Sequence, residues 1–174
     1  AFVTELNLHR GAYERFAGLE LGDDVPTDVR RYVEHALRDY RRSGVDKSEA
    51  VRERVRALQE ELTHVGQEFD RNIMGGGRSL RIKDGHAALT GLPADFLAAH
   101  PEDADGSVTL TTDPTDFLPV MLYAERDEVR RDLHREFNLR AFPENEDVLN
   151  RLLAKRHELA TTLGYDHWAH WACD

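Results

Sequence analysis

The sequence is poor in several things a protein of 174 residues commonly has. Its single cysteine, Cys173, excludes an intrachain disulfide framework and cannot by itself build a thiolate metal cluster. No apolar run approaches the ~20 residues that would span a bilayer, and no basic-then-apolar leader opens the chain, so the expected location is the cytoplasm and no membrane partner is expected. Lysine is scarce, and acidic residues outnumber basic ones, 33 to 23. Lysine occurs only at 47, 83 and 155, and the formal net charge of -10 leaves no basic stripe to displace counterions from phosphates, so nucleic acid is not an expected partner. Neither an internal repeat nor a low-complexity tract is present.

What is there reads as helix. The composition, 40% hydrophobic and 32% charged, suits a helix-rich protein with a sizeable core. Arg151 to Trp171 organises the rest: Leu152, Leu153, Leu159, Ala160 and Leu163 recur at helical spacing, Asn145 is a candidate N-cap, and Gly164 before Tyr165 supplies a left-handed stop. A second short helix, opened by Asp166, should follow.

Upstream, Ala1 to Leu21 carries Tyr13, Phe16 and Ala17 on one helical face with Asn7 as its expected cap, and it starts without a start signal, as a chain cut from a longer protein would. Pro26-Thr27-Asp28 begins a helix with Val29, Tyr32, Val33, Ala36, Leu37 and Tyr40 on one face, stopped by Ser43-Gly44-Val45. Asp46, with Glu49 three residues on, is the expected cap of the longest helix. Its apolar residues, Val51, Val55, Leu58, Leu62, Val65, Phe69 and Ile73, step by fours and threes, and the rod should run roughly 40 Å before Gly75-Gly76-Gly77 ends it. The short link between these two helices predicts an antiparallel hairpin over 29-74, with the long seam facing Val29 to Tyr40.

Over 78-116 the period changes to alternation. Leu80 and Ile82, then Val108 and Leu110, read as two short strands paired antiparallel, with a brief helix through Phe96 and Leu97 between them that ends at His100-Pro101. Over 119-173 the chain returns to helix: Pro119 at a first helical position, a helix from Asp127 to Ala141 on Val129, Leu133 and Phe137, and the organising stretch. The predicted fold is mainly α, an antiparallel helical bundle with a long helical hairpin and a small two-stranded β excursion.

Two clusters could carry chemistry. His157-Glu158-Leu159-Ala160-Thr161 begins like His-Glu-x-x-His, the motif in which two imidazoles one turn apart bind zinc and the glutamate takes a proton from the bound water. Thr161 stands where the second imidazole should be, and none of the nine histidines has another four residues later. Near the end, His167 and His170 lie three apart, with Cys173 and Asp174 close by, but Trp168 and Trp171 between them suit an ordinary amphipathic terminus. No catalytic, cofactor-binding or metal-binding residue is therefore assigned.

The order of several short pieces resembles one family. Arg156-His157-Glu158-Leu159-Ala160, then Leu163-Gly164-Tyr165 and an aromatic helix, is similar to a segment of the thimet oligopeptidase, oligopeptidase A and peptidyl-dipeptidase family of zinc metallopeptidases. So are Tyr32-Val33-Glu34, Leu37 to Val45 before the long helix, Glu68-Phe69 with Asn72 and the glycine stop, Leu89-Thr90-Gly91-Leu92-Pro93, and Thr109 to Met121. The resemblance implies a single partial helical domain, 1-174, lying upstream of the zinc-binding helix. It would wall a substrate channel for short peptides without hydrolysing them, with zinc and the catalytic groups in a domain beyond Asp174. Its implied partners are that catalytic domain and short peptides, with self-association through an exposed apolar helix face. The alternative is a free-standing helical scaffold that binds another helix along Val51 to Ile73.

Overall fold

The computed structural model describes residues 2–174. In chain order the helices are α1 (Phe2–Asn7), α2 (Arg10–Ala17), α3 (Thr27–Arg42) and α4 (Glu49–Gly75). Strand β1 (Ser79–Ile82) and helix α5 (Ala94–Ala99) precede strand β2 (Val108–Thr111). Helices α6 (Pro114–Tyr123), α7 (Asp127–Asn138), α8 (Glu144–Leu163) and α9 (Trp168–Cys173) complete the chain. The fold is mainly α, as its hydrophobic periodicity predicts. Two compact units divide it, one of residues 1–67 with 148–174 and one of residues 68–147, so that α4 and α8 each contribute to both.

In the first unit the apolar faces of α4 and α8 share one core. Val55, Leu58, Leu159, Leu163 and Leu8 are buried together, with Val51, Leu62, Tyr165, Trp168 and Trp171 packed around them. The long seam thus meets α8, while on the predicted face of α3 only Val33 is buried. Val29 and Tyr32 are exposed, and Tyr40 of α3 instead sets its ring 6.0 Å from Tyr13 and from Phe16 of α2. Two aromatic rings on α2 make a better partner for Tyr40 than a seam of aliphatic side chains already filled from α8. The glycine stop of α8 is as expected. Gly164 has φ 98°, its N–H donates to Thr161 O (3.0 Å) and the Tyr165 N–H donates to Ala160 O (2.9 Å), so the last carbonyls of the helix keep partners.

The second unit is built on the strand pair. β1 and β2 run antiparallel with Leu80 opposite Leu110 and Ile82 opposite Val108, so the four apolar side chains share one face. Leu89, Leu92, Phe96, Val120, Ala124, Val129 and Leu133 cover that face. A 3-10 turn at Gly85–Ala88, which no periodicity announced, leads into it.

Several predicted caps are corrected. Asn7 is the last residue of α1, and the cap of α2 is His9, whose Nδ1 accepts from Ala12 N–H at 3.0 Å. Helix α4 opens after Ser48, whose hydroxyl accepts from Val51 N–H (3.4 Å), rather than at Asp46. Asn145 lies inside α8, and α9 is capped by His167, not Asp166, through Nδ1 and the His170 N–H (3.0 Å). The cap is whichever lone pair reaches a free first-turn amide, and an imidazole nitrogen can be that acceptor. Pro114, following the N-cap residue Asp113, takes the first position of α6 and leaves Pro119 inside the helix. There its missing N–H leaves the Thr115 carbonyl without its i+4 helix donor. Helix α7 stops at Asn138, whose side-chain amide donates to the His134 carbonyl (2.7 Å) and so competes with the continuing backbone.

Leu110 is fully buried in the second unit's core, whereas Leu122 on α6 is 71% exposed. Leu110→Ala should lower the unfolding free energy by about 2–5 kcal/mol and Leu122→Ala by no more than about 0.5 kcal/mol, read by urea denaturation; equal losses would contradict this core.

Candidate functional site

Successive residues of a helix point about 100° apart, and this separates the two members of the His157-Glu158 pair. His157 is exposed, while Glu158 turns towards α4. There Glu158 joins an ionic quartet. The Arg54 guanidinium donates to Glu158 Oε1 through Nη2 and through Nε at 3.0 Å, and Nη1 donates to Glu61 Oε1 at 3.2 Å. Lys155 Nζ lies 2.6 Å from Glu61 Oε2 and 3.3 Å from Glu158 Oε2. The four charges cancel. Hydrogen bonds from Arg54 first, then from Lys155, hold the Glu158 carboxyl below its ordinary value; Lys155 first, then Arg54, does the same for Glu61.

Thr161, in the place of a second zinc ligand, spends its hydroxyl on its own helix, donating to His157 O (3.0 Å) and Glu158 O (3.1 Å). Zinc of the hydrolytic kind does not fit this chemistry: one imidazole faces solvent, its neighbour carboxylate is held by two cations, and the third group is a back-bonded hydroxyl. Among the described residues no group of three or more His, Cys, Asp or Glu could hold a metal ion. The carboxy-terminal cluster is similarly occupied. His167 Nδ1 caps α9, His170 Nδ1 lies 3.4 Å from Asp166 Oδ2, and Asp174 Oδ2 accepts from the Tyr165 hydroxyl at 2.9 Å. Cys173 is exposed.

The second unit contains a cleft that sequence reasoning did not find. Arg71, Asn72, Gly75, Gly76, Gly77, Arg78, Ala141, Phe142 and Glu144 line a volume of ≈ 470 Å³. The close approach of Gly76 to Ala141 and Asn72 within this lining depends on glycine. A Cβ on Gly76 would lie 2.7 Å from Ala141 N and from Asn72 O, so only a bare backbone can pass. Ala141 itself sits in the left-handed region at φ 59°. Beside it Asn72 Nδ2 donates to Asn145 Oδ1 (2.9 Å), and Asn145 Nδ2 donates to Phe69 O (3.1 Å). Arg78 is turned to Glu136, with Nε 2.6 Å from Oε2. The lining carries charges of both signs and offers no nucleophile paired with a base. The glycine triplet near Asn72 was the visible signal, but nothing local showed that it meets Ala141 and Phe142.

No family model matches the chain. Curated relatives do. Oligopeptidase A of Salmonella typhimurium is 30% identical over 97% of this chain and 27% of the relative. Mitochondrial intermediate peptidase 2 of Cryptococcus neoformans is 30% identical over 97% of this chain and 21% of its own length, and saccharolysin of Saccharomyces cerevisiae is 28% identical over 96% and 25%. The chain therefore spans about a quarter of the length of the curated relatives it matches. Its resemblance to the oligopeptidase A and thimet oligopeptidase family holds along almost the whole sequence, which corresponds to a segment of such a peptidase.

Because both carboxyls of the quartet are depressed, its stabilisation is present above the ordinary carboxylate range and is lost as pH falls through their lowered values. The stability gap between the wild type and Glu158→Gln should therefore be widest near neutral pH in low salt. It should narrow both in about 1 M NaCl and below about pH 4, followed by urea unfolding. A gap indifferent to salt and pH would show that packing, not charge, sets it.

Proposed function

We propose that this chain is a non-catalytic helical segment of a zinc-dependent oligopeptidase, lying upstream of the zinc-binding helix and walling the channel through which short peptides reach it. The observation that carries the reading is the match of nearly the whole chain to about a quarter of each peptidase relative. On this reading residues 1-174 are one partial domain, the zinc and the groups that act on the peptide bond belong to the remaining three quarters, and the cytoplasm is the working compartment. Among the described residues no helix is long and apolar enough to cross a membrane.

The physical work assigned to the segment is exclusion. A helix of 27 residues rises roughly 40 Å, and α4, backed along its buried face by α8, is stiff enough to stand as a wall that turns away folded proteins and passes flexible peptides. The cleft at Gly75–Gly77 is the place in the second unit where a passing peptide backbone would find donors and acceptors. The alternative reading, a scaffold that docks a foreign helix along the α4 seam, is disfavoured because Val55 and Leu58 are already buried with Leu159 and Leu163. Burial leaves those positions no apolar area to offer.

Two measurements test the proposal. The chain alone, with added zinc, should leave a quenched fluorogenic peptide uncut, and turnover abolished by a chelator would overturn the non-catalytic assignment. Replacing the matched segment of Salmonella oligopeptidase A with this chain should give a folded hybrid that cuts short peptides, and a well-folded hybrid that cleaves folded proteins as readily as short peptides would contradict a channel wall.

A further inference from the structure

Helix α6 has no charge to show to water. Its one charged residue is Asp116, which is buried, with Oδ2 accepting from the Thr111 N–H (2.8 Å) and hydroxyl (2.6 Å). One face of the helix is already covered. Val120 is fully buried in the second unit's core, Met121 packs against that core, and the Phe117 ring stacks on Phe137 of α7 with centroids 4.0 Å apart. The other face carries Leu118, Leu122 and Tyr123, which are 53%, 71% and 54% exposed. Leu118 and Leu122, four residues apart, form an apolar stripe along it. The neighbouring α7 shows how this unit meets water, with Asp127, Glu128, Arg131, Asp132 and Arg135 at exposed positions. A helix that is apolar on both faces belongs in an interior.

Tyr123 also lines a cleft of ≈ 490 Å³, to which Pro119 of α6 and Pro93, Phe96 and Ala99 at α5 give apolar walls. Two of its polar members are engaged: His100 Nε2 lies 3.0 Å from Asp116 Oδ1, and the Asp95 carboxylate accepts from the Phe96 N–H (3.0 Å). Stripe and cleft therefore present one apolar surface within the second unit.

We propose that this outward face of α6 is an internal surface of the whole peptidase, covered by an apolar element from the remaining three quarters of the polypeptide. That occupant rests on the peptidase reading: the chain corresponds to 27% of Salmonella oligopeptidase A and 21% of the Cryptococcus mitochondrial peptidase, so most of such a polypeptide lies outside it. A second copy of this chain fits less well. A helix of ten residues is about 15 Å long, and three side chains of roughly 150–200 Å² each fall short of the ~800 Å² per partner that a stable dimer buries. Within one polypeptide no translational freedom is lost on docking, so a smaller apolar area is enough.

Thiol labelling at Leu122→Cys, in a background with Cys173→Ser, reads the cover directly. In this chain alone the new thiol should react freely. In the Salmonella hybrid, otherwise free of cysteine, it should react at least about tenfold more slowly. A hybrid that cuts short peptides yet labels as fast as the chain alone would overturn the docking and leave the peptidase reading standing; a folded hybrid that is protected but inactive would support the docking and count against that reading. Labelling in the hybrid that slows only when the quenched peptide is added would assign the face to substrate and overturn the proposal. So would light scattering that finds the chain alone dimeric and Leu122→Glu monomeric. Where the hybrid does not fold, labelling at the aligned position of intact Salmonella oligopeptidase A decides, with protection expected and free reaction contradicting it.

Discussion

The apposition of α4 and α8 is the interaction on which the first unit depends. Neither helix has an apolar face wide enough to be stable alone: α4 carries charge at Arg52, Glu53, Arg54, Arg56, Glu60 and Glu61 between its apolar residues, and an isolated helix of that kind is held by packing and not by propensity. Sharing Val55, Leu58, Leu159 and Leu163 in one core removes the apolar surface of both from water. The Arg54, Glu61, Lys155 and Glu158 quartet then lies alongside that core. Its side chains are partly exposed, 40% for both Arg54 and Glu158, so it contributes pairing specificity more than stability. Apolar burial holds the two helices together, and the charges favour the arrangement in which opposite signs meet.

This division of labour explains what became of the motif that first drew attention. A glutamate beside a histidine on a helix is the start of a hydrolytic zinc site only if it faces a shared ion. Here Glu158 faces Arg54 across the seam, so the same residue type serves to neutralise a guanidinium. The pair His157-Glu158 is the record of a helix that needs one polar partner for α4 and one solvent-facing residue next to it.

The parts of the structure governed by local pattern were legible in the sequence. The 3.6-residue recurrence marked α3, α4 and α8, the alternation marked β1 and β2 with their facing leucines, and Gly164 marked the end of α8. What depended on which surfaces meet was not. The partner of the α4 seam could be α3 or α8 on periodicity alone, and only three-dimensional packing shows that Tyr40 takes Tyr13 and Phe16 instead. The cleft at Gly76 joins residues more than sixty positions apart, and His100 at the end of α5 places Nε2 3.0 Å from Asp116 Oδ1 in the first turn of α6. Caps fell between these cases: their positions were right to within a few residues, but the groups that fill them, His9, Ser48 and His167, are chosen by reach and not by residue preference.

The claim most open to direct test is that α4 and α8 form one energetic unit through Leu58 and Leu159. A double-mutant cycle with Leu58→Ala, Leu159→Ala and the pair, followed by chemical denaturation, measures it. A coupling of about 0.5–3 kcal/mol is predicted, because the two side chains occupy one buried cluster. Losses that simply add, to within about 0.3 kcal/mol, would show that the helices are stabilised separately and would contradict the account.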